Sequence, residues 1–116
     1  MGRIRIIEPK VVCRIAKVMV PVRKPLMLIQ SNNNEWEEFF IKKREAAKDY
    51  SLKKEFDTCR AVIKWAETCG GKINYCENAK DSYKQPVIEF EITFSDRDSY
   101  NRFDENFDIC VRGSVM

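Results

Sequence analysis

Residues Val87 to Phe94 alternate without a break: Ile88, Phe90, Ile92 and Phe94 fall on one side, and Val87, Glu89, Glu91 and Thr93 on the other. Successive side chains of a strand point to opposite faces, so this segment predicts a strand between a packed face and a wetter one. An amphipathic sheet of this kind needs a layer of helices over its apolar side.

Two helical regions can supply that layer. Asn34 with Glu37 forms an N-x-x-E relative of the capping box, and Trp36, Phe40 and Ala47 follow at helical spacing, with Phe39 and Ile41 broadening the stripe. Leu52, Phe56, Cys59, Val62, Ile63, Ala66 and Cys69 continue the stripe, and Gly70-Gly71 closes it as a left-handed cap. An unbroken helix over 35–69 would be about 50 Å long at 1.5 Å per residue, too long for a chain of this size. A break is therefore predicted near residue 50, with Ser51 as a second cap. Ser95-Asp96-Arg97-Asp98 is another capping pattern, and Tyr100, Phe103 and Phe107 then recur at i, i+3 and i+7, which predicts a short amphipathic helix.

The remaining strands are read from β-branched runs and their punctuation. Lys72 to Glu77 is a short strand, Asn78 to Gln85 a polar loop and Leu26 to Ile29 a compact apolar strand. Ile109-Cys110-Val111 is read as the last strand. From residue 25 the order is β-α-β-β-α-β, so the fold class is α+β: a ferredoxin-like, split β-α-β antiparallel sheet with helices on one face. Ile88, Phe90, Ile92 and Phe94 should meet Phe56, Val62, Phe103 and Phe107. Before this core, Arg3 to Ile6, Val11 to Cys13 and Val18 to Val20 read as further strands, punctuated by Pro9 and Pro21. The 116 residues are thus expected to form one domain, with 1–24 a basic β-rich extension and 25–112 the core. The extension can continue the sheet edge, cover the open face or project toward a partner.

Composition narrows the chemistry. The chain has no histidine, so Ser-His-Asp and Cys-His couples, Cys₂His₂ zinc sites and a histidine pH switch are all excluded. Cys13, Cys59, Cys69, Cys76 and Cys110 contain no C-x-x-C and their smallest spacing is seven residues, so they read as free thiols of a reducing cytosol. A Cys69–Cys76 disulfide would require the two to face each other. No apolar run approaches the ~20 residues of a membrane span, and neither a signal peptide nor a lipidation motif is visible. No cofactor and no metal are predicted. The one construction for a metal, Glu89 and Glu91 with Asp96 and Asp98, is better read as a wet strand face followed by first-turn helix acids.

Two surfaces are candidates. The first 30 residues hold Arg3, Arg5, Lys10, Arg14, Lys17, Arg23 and Lys24 against Glu8 alone, whereas the rest is mildly acidic. Such a segment can track phosphates or an acidic partner if its cations share a face. The alternative is a solvated strand face, or cations pairing with Glu89 and Glu91. The second candidate is an aromatic surplus: Trp36, Phe39, Trp65 and Tyr83 are taken as a protein-partner interface, since surface aromatics dominate binding energy. RNA-recognition-type base stacking is rejected, because the best strand shows glutamates on its open side.

The expectation is a small non-enzymatic regulator or inhibitor, of the sort viruses and mobile elements carry, which binds a protein or nucleoprotein partner in the cytoplasm. A nucleic-acid-binding module using the basic N-terminal strands is the alternative, and a self-assembling structural protein the second.

Overall fold

The computed structural model describes residues 14–25 and 35–112. The expected strands at Arg3–Ile6, Val11–Cys13 and Leu26–Ile29, and the expected cap at Asn34, lie outside the described residues. Three strands, β1 (Arg14–Pro21), β2 (Lys72–Lys80) and β3 (Pro86–Phe94), form an antiparallel sheet in the order β1-β3-β2. Three helices accompany them: α1 (Trp36–Ala46), α2 (Tyr50–Thr68) and α3 (Arg97–Glu105), followed by a π-helical turn over Asp108–Arg112. The architecture is α+β with an open sheet.

The alternating segment is the central strand. Ile88, Phe90, Ile92 and Phe94 are all fully buried. Opposite them across the β1 ladder stand Val20, Val18, Ala16 and Arg14, and across the β2 ladder Cys76 faces Phe90 and Ile73 faces Ile92. Helices cover this face: Phe40 of α1 packs on Phe90 with ring centroids 6.1 Å apart, and Phe103 of α3 packs on Phe94 at 5.1 Å. Phe56, Cys59, Val62, Ile63 and Ala66 of α2 complete the core, with Phe107 partly buried against it. Burying a phenylalanine contributes about 1.5–3 kcal/mol, so β3 and its helix cover are the energetic centre.

The predicted break at residue 50 is present, and Asp49 rather than Ser51 is the cap: its carboxylate accepts from the Ser51 N–H at 2.8 Å. At the other end Gly70, with φ +83°, takes the left-handed turn. Its N–H donates to the Glu67 carbonyl and that of Gly71 to the Ala66 carbonyl, the paired bonds of a Schellman motif. Helix α3 is likewise capped one residue later than Ser95, by Asp96 accepting from the Ser99 N–H. Aspartate and serine both cap well; here the carboxylate is the group that reaches the open N–H. Glu37 bridges to Arg60 at 3.1 Å and to Lys64 at 3.6 Å, tying α1 to α2, as Arg44 and Asp57 do at 2.6 Å.

Two strand expectations change. Strand β2 runs to Lys80, and the loop shrinks to a turn in which Asp81 accepts from the Tyr83 and Gln85 N–H groups. Lys84 takes the left-handed φ of 63° that ends such a three-residue hairpin loop. Ile109 to Val111 is not a strand: it belongs to the π-helical turn, with Val111 fully buried in the core. Three strands thus stand among the described residues, where the ferredoxin-like order counts four.

Candidate functional site

Among the described residues β1 is an edge strand, and its two faces have different fates. Ala16 and Val20 point into the core, with Val18 half-buried beside them. Ile15, Lys17 and Met19 point to the opposite face, where Ile15 is 56% and Met19 48% exposed. Arg14 and Lys17 therefore lie on opposite sides of the strand, because an odd spacing in a strand changes face. The Arg14 guanidinium is half-buried and its Nε is enclosed without a hydrogen-bond partner. Arg23 lies beyond the strand and is neutralised locally: it binds the Asp49 carboxylate at 2.8 Å and approaches Glu55 at 3.7 Å. Lys24 is exposed beside it, next to a shallow depression with Leu52. The described cations of residues 14–24 are thus dispersed. Arg3, Arg5 and Lys10 lie outside the described residues.

The outer face of the sheet is divided. On the β2 side the glutamates of β3 are held by side chains. The Tyr75 hydroxyl donates to Glu89 at 2.6 Å, and the Asn74 amide donates to Glu91 at 3.1 Å. The bond to Glu89, with desolvation behind it, raises the Tyr75 phenol above its ordinary range. This contact also eases the register, which sets Glu77 directly opposite Glu89, a like-charge pairing that opposes the ladder. On the β1 side, Lys17 stands across from Glu91 and Met19 from Glu89, and both carboxylates are engaged toward β2. The apolar side chains of β1 are left at the rim.

The four aromatics singled out by sequence do not form one patch. Trp36 is 7% exposed and serves the core. Phe39 is half-buried, edge-on to both Trp36 and Phe40, with the Lys43 ammonium 5.6 Å above its ring. Trp65 is half-buried, and its indole N–H donates to the Phe103 carbonyl at 3.0 Å, fastening α2 to α3. Tyr83 is 82% exposed at the tip of the β2–β3 turn, apart from the others in the chain's architecture.

Two of the buried thiols are poor nucleophiles. Cys59, Cys69 and Cys76 are free and buried, and Cys110 is free and half-buried. The Cys69–Cys76 disulfide is therefore absent. Burial pushes the Cys76 thiol up to about 12 and that of Cys59 well above its ordinary value. The thiolate is the reactive form, so these positions are inert at neutral pH. Asp96 is committed to its cap, and among the described residues no three acidic or cysteine side chains gather as metal ligands.

A groove of about 420 Å³ follows the outer rim of β1. One wall is Ile15 to Met19; the other is Tyr100 and Asp104 of α3 with Phe107 and Asp108 beyond it. The sequence pattern places Phe107 in the core, Tyr100 on the same helical stripe and Met19 in a strand, and gives Ile15, Met19 and Asp104 no site role. The period-two spacing of Ile15, Lys17 and Met19 was the available signal. No described helix is long and apolar enough to cross a membrane. No protein-family model matches the chain, and no curated protein or solved structure does.

Proposed function

We propose that this chain is a small non-enzymatic binding protein that regulates or inhibits a protein or nucleoprotein partner through the β1 side of its sheet. The observation that carries this reading is the pair Ile15 and Met19, half-exposed on the outer face of an edge strand while the equivalent β2 side is tied down by hydrogen bonds. Large apolar side chains beside a groove give a partner both area and a place to insert. Three buried thiols, two of them shifted away from reactivity, in a chain with no histidine, support a role by contact rather than turnover. Free thiols also suit the reducing cytoplasm. We take the fold as a ferredoxin-like sheet in which the position beside β1 is not filled by the chain's last segment.

The test is recovery of a partner from lysate of the producing cells by the tagged full chain, followed by the same experiment with Ile15→Asp and Met19→Asp together. A stoichiometric partner that the double variant loses is the expected result. Recovery of none, or equal recovery by the double variant, counts against the reading.

A further inference from the structure

The rim of β1 permits a more specific statement, which rests on the binding reading above. Among the described residues β3 is the sole strand neighbour of β1. In an antiparallel ladder the residues of an edge strand alternate in direction, so half of its N–H and C=O groups face away from the sheet. The groove at this rim is lined by five consecutive residues, Ile15 to Met19, whose side chains point to both faces. It therefore runs along the backbone edge and not across one surface of the sheet. Its far wall is fixed: Tyr100 is edge-on to Phe94 at 5.9 Å, and Phe107 packs on Phe103 at 5.4 Å. Helix α3 thus reaches past the sheet, and a strand laid beside β1 would find a helical layer beneath it.

We infer that this groove accepts an extended segment of a partner protein as a fourth strand, one that alternates apolar residues with lysine or arginine. Main-chain pairing to this edge, unpaired among the described residues, supplies affinity, and the alternate side chains supply selectivity. The charge of the wall selects the occupant. Asp104, exposed on the α3 wall, lies on the helix side of the added strand, where a basic side chain complements it, while Ile15 and Met19 offer apolar contact on the open side. A second copy of this chain fits less well. In an antiparallel pairing of two β1 edges centred on Lys17, the two lysines stand opposite each other, a like-charge pair that opposes the ladder. Lys17 within the edge and Pro21 at its end are also the residue types that discourage self-pairing of edges.

The experiment uses the full chain and a synthetic eight-residue peptide alternating lysine and valine, followed by amide NMR and hydrogen exchange. The peptide should shift and protect amides within residues 15–19. Its glutamate–valine counterpart should bind at least tenfold more weakly, and Asp104→Lys should reverse the preference. Asp104→Asn, milder at an exposed helix position, should weaken the lysine peptide in the same direction. N-methylation of alternate peptide amides on the pairing side should abolish protection. Binding without protection of 15–19, or no response to Asp104→Lys and Asp104→Asn, overturns the inference. So does protection, in the free monomer or in a dimer, of those amides of residues 15–19 that point away from β3, since the edge is then covered by the chain itself or by a second copy. A cellular partner that depends on Ile15 and Met19 yet leaves 15–19 unprotected removes the groove proposal and keeps the binding one. Peptide binding at 15–19 with no cellular partner does the reverse.

Discussion

The two edges of this sheet are managed in different ways. Strand β2 carries a bulge between Ile73 and Tyr75, exposed Lys72, Glu77 and Lys80, and side chains that reach across to β3. Bulges and charges are the usual means of keeping an edge from pairing with another chain. Strand β1 keeps an unbroken register over eight residues and shows Ile15 and Met19 on its outer face. Its single charged outer residue is Lys17. One edge is closed by its own chemistry, and the other retains the geometry of a template. A small sheet can thus direct recognition to one side without a loop built for the purpose.

The strongest way to break this comparison is to remove what both edges share. Phe90 stands between Val18 of β1 and Cys76 of β2 and packs on Phe40. Phe90→Ala should cost about 3–5 kcal/mol in denaturant unfolding, with amide protection of both edge strands falling together. Survival of one edge alone would show that the two are independent. Gly71→Ala acts at the foot of β2: a Cβ there would sit 2.6 Å from the Phe94 Cε1 and 2.8 Å from the Ile92 Cγ2. Neither ring nor branched side chain can withdraw from the packed core, so a loss of about 1–3 kcal/mol is expected, read as a lower midpoint.

Lys84→Gly sharpens the contrast in the other direction. Lys84 holds a left-handed conformation that glycine adopts without strain. The change should stabilise the β2–β3 hairpin by about 0.5–1 kcal/mol and leave exchange in β1 unchanged. Acid should weaken the helical layer next. The guanidinium of Arg23 holds the Asp49 carboxyl below its usual range, and the Ser99 N–H does so for Asp96. The folded chain then binds these protons less readily than the unfolded one. Their contribution is present above about pH 4 and is lost as pH falls through the lower folded values, visible as a falling thermal midpoint. In Asp49→Asn with Asp96→Asn that slope should flatten. Smallest of all is the effect of Ile15→Asn with Met19→Asn on stability, within about 0.5 kcal/mol by chemical denaturation, because neither side chain is in the core. A larger loss would mean that the outer face of β1 supports the fold.

How much of this was legible depended on whether the signal was local. The alternation of β3, the interruption near residue 50 and the Gly70-Gly71 stop are each set by neighbouring residues, and each is found where the sequence puts it. Pairing partners are not local. Nothing in Arg14 to Pro21 says that it lies beside β3. A three-residue apolar run such as Ile109 to Val111 satisfies a strand or a turn equally well; here Val111 is drawn into the core beneath a π-helical turn. Asn78 to Lys80, with a polar residue at either end, resembles a loop because a strand at the edge of the described sheet tolerates polarity that a central one does not. Trp36, Phe39 and Trp65 show the limit of counting aromatics, since two helices over a small sheet absorb more rings than a stripe on one helix suggests. The groove could not be read at all, because it is made by elements some 80 residues apart in number.

The sulfur atoms in the dry interior give the molecule a built-in gauge of its own opening. Cys59, Cys69 and Cys76 can meet an alkylating reagent only when α2 lifts from the sheet, whereas the half-buried Cys110 is nearer to solvent. Residue-resolved alkylation rates therefore time the breathing of the helical layer in the unaltered chain, with no dye or tag. A partner strand that locks the sheet would slow that clock.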